Sequence, residues 1–92
     1  MRTPDRRRTA AALRYEGGSA APTVVASGKG AVAERIVEAA RASAVPIRED
    51  RLLAEALAAL DLGTEVPELL YAAVAEALVW AYRLARRDPP TA

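Results

Sequence analysis

Ninety-two residues with a net charge of +1 bound the chain to one small domain and exclude an overall field that would attract nucleic acid or an anionic membrane. Of the 52% of residues that are hydrophobic, 23 are alanine, so few large side chains remain to build a core, and the expectation is a modest fold with frayed ends. There is no Cys, His, Asn or Gln, which removes disulfides, thiolate nucleophiles, imidazole bases, the usual transition-metal ligands and any chemistry run by an asparagine side chain. The longest apolar run, Leu69 to Ala75, is too short to span a bilayer, so the sequence reads as a soluble, cytoplasmic protein.

Residues 1–8 hold four arginines against one aspartate and read as a disordered basic tail. From Thr9 to Tyr15 larger side chains alternate with small or polar ones, the period of a half-buried strand. Gly17-Gly18-Ser19 breaks the chain, and Pro22 leads into the β-branched run Thr23 to Ser27, a strand suited to burial on both faces. Beyond Gly28 and Gly30, the spacing of Ala33, Ile36, Val37 and Ala40 predicts a helix that ends near Ala44. Val45 to Arg48 reads as a short extended segment, with Pro46 placing it at a strand start or edge.

Glu49 and Asp50 suit the positive end of a second helix carrying Leu53, Ala56, Leu57 and Leu60, with Gly63 as its stop. Pro67 fits the first position of a third helix striped by Leu70, Ala73, Val74, Ala77, Ala81 and Leu84. Pro89-Pro90 prevents continuation, and residues 88–92 read as a disordered tail. The order predicts an α/β fold with a small mixed three-stranded sheet covered by three helices, in one domain over residues 9–87.

Ser27-Gly28-Lys29-Gly30 between a strand and a helix resembles a phosphate loop, but the motif is incomplete: Thr23 and Gly30 stand where a Gly and a Ser or Thr belong. A plain turn accounts for both glycines. Glu34, Glu38, Glu49, Asp50 and Glu76 are interleaved with arginines as on a solvated helix face, and the serines have no histidine to activate them. The residues point away from an enzyme, and no metal or cofactor is implied. Arg6 to Arg8 could contact phosphate backbones, which makes a nucleic-acid accessory the alternative function. Tyr71, Trp80 and Tyr82 on the last helix suit either packing or an interaction surface.

Several ordered blocks carry a resemblance: Ala12-Leu13-Arg14-Tyr15, Ala21 to Gly28, Val45-Pro46-Ile47, Pro67 to Leu78 and Tyr82-Arg83-Leu84. Together they resemble the cytoplasmic domain of the flagellar biosynthesis protein FlhB and of the export-switch proteins of type III secretion systems, over about residues 9–86. That family cuts itself at an Asn-Pro-Thr-His turn. The matching positions here are Asp5, Arg6, Arg7 and Arg8, so the resemblance comes with the expectation that this chain does not cleave itself. It also reads as a stand-alone counterpart of the family's cleaved C-terminal fragment, without the membrane domain.

In the family a shallow hydrophobic pocket for export substrates is attributed to an Ala-Pro before a strand and an Ala-x-x-Leu on the last helix, which match Ala21, Pro22, Ala75 and Leu78. The resemblance implies a non-enzymatic interaction module accessory to a flagellar or type III export apparatus. Its partners would be export-gate or secretion-substrate proteins. The Thr9 to Tyr15 strand is also expected to offer an unpaired edge for strand addition or self-pairing.

Overall fold

Small residues alternating from Thr9 and a β-branched run after Pro22 fold back on one another as an antiparallel ribbon in the computed structural model, which describes residues 8–17 and 20–86. Its strands are β1 (Thr9–Arg14) and β2 (Thr23–Lys29). The helices that follow are α1 (Ala31–Ala42), α2 (Arg51–Ala58) and α3 (Tyr71–Arg86), the last entered through a 3-10 turn at Glu68–Leu70. The tails expected at either end fall outside the described residues except for Arg8, whose carbonyl accepts from the Gly30 amide at 2.9 Å. The ribbon's hydrogen bonding thus reaches one residue into the segment expected to be a tail.

Successive side chains of a strand point to opposite faces, and both faces of the ribbon are covered. On one, Ala10 packs with Ala33 and Val37 of α1, and Ile36 and Ile47 close around them. On the other, Val24, Leu57, Val66 and Val74 form a second cluster that Ala11, Leu13, Leu53 and Leu78 pack against. Directly opposed residues share a face, so Gly28, paired with Ala10, faces α1. A Cβ there would run into Val32 Cγ1, and only glycine lets the first turn of α1 come so close to β2.

Two features of β2 differ from the expectation. The strand runs on to Lys29, and Val25 is 42% exposed instead of buried. The register shift between Ala12 and Leu13 pairs Ala12 with Ala26 but Leu13 with Val24, so Val25 is the extra residue of a bulge and turns outward.

The third strand expected at Val45 to Arg48 does not form, and the sheet is two-stranded and antiparallel where a mixed three-stranded one was expected. The helix end before it explains why. Ala44 takes φ 56, and the amides of Ala44 and Val45 donate back to the carbonyls of Arg41 and Ala40. Val45 has therefore spent its donor, and Pro46 has none, which leaves two consecutive positions unable to hold a ladder. The edge of β2 is instead lined by the loop after α2. Val24 donates to Thr64 at 3.1 Å, Gly63 to Val24 at 2.8 Å and Val66 to Pro22 at 2.8 Å, with a single antiparallel bridge between Thr23 and Glu65.

The remaining helix boundaries follow local chemistry. Asp50 caps α2, its Oδ1 accepting from the Leu53 amide at 3.1 Å, and Arg51 pairs with Glu55 one turn on at 3.3 Å. The helix ends at Ala58, ahead of Gly63, whose φ of 84 belongs to the loop along β2. Pro67 begins the 3-10 turn, not the α-helix itself.

Candidate functional site

No polar or charged side chain is buried among the described residues. No group of three or more potential ligand side chains gathers there to hold a metal ion, and no helix among the described residues is long and apolar enough to cross a membrane. Of the segment expected to be a plain turn, Gly28 and Lys29 are the end of β2 and Gly30 alone turns the chain into α1. Gly30 takes φ 58 ahead of α1, and its amide is already given to Arg8, not held open for an anion.

Attention therefore falls on α3. A helical period of 3.6 puts Val74 at the centre of the face toward the core, where it is 2% exposed, with Leu70 and Leu78 packing beside it one turn before and after. The rest of the expected stripe is less buried. Ala73, Ala77 and Ala81 are half-buried, and Leu84 is exposed. A groove of about 280 Å³ opens between Leu13, Tyr15 and Pro46 on one side and Leu78, Ala81 and Tyr82 on the other.

A second, shallow groove of about 440 Å³ runs over the outer face of the same helix. Its floor is Ala72, Ala75, Val79 and Trp80, and Arg48 and Arg83 stand at its rim with Glu76. Arg48 comes from the extended segment before α2, and its Nη2 lies 3.9 Å from Glu76 Oε2. Tyr71 and Tyr82 are both exposed, so α3 presents aromatic rings to solvent on the flank that also carries Ala75.

The four residues singled out as a pocket are placed as follows. Pro22 is buried and Ala21 half-buried, and the bond from Val66 to the Pro22 carbonyl ties them to the residues that lead through Pro67 into α3. Ala75 is exposed on the outer groove, whereas Leu78 is half-buried, packs against the core cluster and lines the groove beside Leu13 and Pro46. Neither groove is lined by Ala21 or Pro22. Of the positions matched to the cleavage turn, Asp5, Arg6 and Arg7 lie outside the described residues, and the Arg8 carbonyl accepts from the Gly30 amide. Sequence reasoning did not find the pairing of Arg48 with the outer groove. The spacing of Glu76, Trp80 and Arg83 along one helix stripe was legible, but the arrival of Arg48 depends on how the chain crosses from α1 to α2.

Comparison with known proteins places this geometry. A model of the FlhB HrpN YscU SpaS family matches residues 7–81. The chain is 45% identical over 78 residues to the uncharacterized protein YlqH of Bacillus subtilis, which covers 84% of each. It is 47% identical over 79 residues to the flagellar biosynthetic protein FlhB of Yersinia enterocolitica, covering 84% of this chain but only 21% of that longer protein. Among solved structures, a mutated (R313T) EscU/SpaS C-terminal domain superposes with a TM-score of 0.76 at 30% identity, over 82% of this chain and 95% of that one. The PscU C-terminal domain gives a TM-score of 0.72 at 30% identity, over 78% and 94%.

Proposed function

The chain belongs to the FlhB HrpN YscU SpaS family, and on that premise we propose that it acts as a non-enzymatic interaction module of a flagellar or type III protein export apparatus. The observation that carries this reading is its superposition, over nearly the whole of the other chain, on the EscU/SpaS C-terminal domain. In this reading the module docks beside an export gate and presents the α3 surface to proteins in transit. Ala21, Pro22, Ala75 and Leu78 are its proposed contact residues. Exposed Ala75 and half-buried Leu78 on adjoining flanks of α3 support the role, as do the rings of Tyr71 and Tyr82.

Binding takes the place of self-cleavage in this reading. Asp5 to Arg8 stand where the scissile turn would be, and the chain has neither asparagine nor histidine to run the reaction. The purified protein is accordingly expected to keep a single intact mass on storage. The outer edge of β1, which pairs with nothing among the described residues, supplies a further contact for strand addition by a partner or a second copy. Gel filtration that returns only monomer at high concentration contradicts the self-pairing version.

Co-expression tests the reading as a whole. An FlhB truncated before its matched C-terminal region, made together with this chain in a flagellated host, should regain secretion of flagellar substrates above the truncated protein alone. Secretion that stays at the background level while both proteins accumulate overturns the proposal.

A further inference from the structure

The outer groove of α3 has a property that the buried core does not explain, and of the four proposed contact residues it holds only Ala75. Val79 is 48% exposed and points away from Val74, so the apolar floor it forms with Ala72, Ala75 and Trp80 adds nothing to the buried clusters. The rim carries two guanidinium groups, on Arg48 and Arg83, against the single carboxylate of Glu76. That carboxylate is a weak occupant. It meets Arg48 at 3.9 Å with 76% of its own side chain exposed, and Arg83 makes no ion pair with any other described residue. The groove is thus apolar at its base and positively charged at its edge, and among the described residues its two cations meet no carboxylate but that of Glu76.

We propose that this groove binds an acidic amphipathic peptide segment of a partner protein, which lays aliphatic side chains over Trp80 and Val79 and directs carboxylates to Arg83 and Arg48. A ligand carboxylate replaces Glu76 at Arg48, so the guanidinium changes partner without being stripped of one. The apolar floor supplies the anchoring area, while the arginines select against neutral or basic segments. The inference concerns the chemistry of the ligand and stands whether or not the partner belongs to an export apparatus.

Trp80 is the only tryptophan of the chain, which gives the test an internal reporter. The full-length protein is titrated with the synthetic peptide Ac-Asp-Leu-Leu-Asp-Leu-Leu-Asp-NH2 and with versions carrying asparagine or lysine at the three acidic positions, and Trp80 emission is followed. The acidic peptide is expected to change the emission saturably and to bind about fivefold more tightly than the asparagine version, the gain available from two solvent-exposed ion pairs. The lysine version should bind more weakly still, and high salt should shrink the differences. In an Arg48→Ala/Arg83→Ala variant the preference should vanish while far-ultraviolet circular dichroism stays native. An unchanged Trp80 signal, equal affinity for the acidic and asparagine peptides, or a preference that survives loss of both arginines overturns the proposal. So does an emission change that follows protein concentration alone, which would make a second copy the occupant. Because no export component is present, failure here is separate from failure of the export role.

Discussion

Ala44 sits in the left-handed region at φ 56, at the position where helices that end in this way usually place glycine. The two amides folded back onto Ala40 and Arg41 hold it there in spite of its Cβ. Replacing it should help: Ala44→Gly is expected to raise stability by about 0.5–1 kcal/mol, since relief of the Cβ clash outweighs the added freedom of the unfolded chain. Chemical denaturation measures this directly, and a loss of stability contradicts the assignment. Gly28 is the opposite case. A methyl group there collides with Val32 Cγ1, so Gly28→Ala should cost about 1–3 kcal/mol by forcing α1 off β2. The cost should shrink in a Val32→Ala background, and a double-mutant cycle with no coupling between the two sites contradicts the packing described.

At the level of elements, the sequence was most legible where one residue decides the outcome locally. The alternation from Thr9, the 3.6 period of all three helices and the acidic start of α2 at Asp50 each stand in the structure near the expected place. It was least legible where the partner of a backbone group is distant. Val45 to Arg48 has the β-branched, proline-led composition of an edge strand, yet the donor of Val45 is consumed by the end of α1. Thr64 and Glu65, which have no such pattern, line β2 because the turn at Gly63 carries them there. Amide exchange separates the two segments: Val24, Gly63 and Val66 should exchange slowly and together, near the global unfolding limit, whereas Ile47 and Arg48 should exchange far faster. Protection of Ile47 and Arg48 equal to that of Val66 contradicts the loss of the third strand.

For the molecule as a whole, an alanine-rich chain with a small set of larger side chains builds two thin clusters on either face of a two-stranded ribbon, and each cluster depends on a helix to complete it. That economy leaves much of α3 uncovered. Leu84, Tyr82, Val79 and Tyr71 stay exposed along α3, and this surface is where a partner would find apolar area. The family blocks identified the module and singled out four positions that are here proposed as contacts. They did not foretell that Pro22 is buried, that Leu78 also serves the core, or that Arg48 and Trp80 share a groove with Ala75. Those facts depend on how three separate stretches of chain meet around one helix, which periodicity within any single stretch does not encode.

The interaction role at α3 is tested most directly with Ala75→Glu, because Ala75 is exposed and adds nothing to either buried cluster. Secretion of flagellar or type III substrates is compared between cells making the variant and cells making the original chain, at matched protein levels and matched melting temperature. The account predicts that secretion supported by this chain falls several-fold with the variant. Secretion unchanged by Ala75→Glu, from a protein that folds as before, contradicts it.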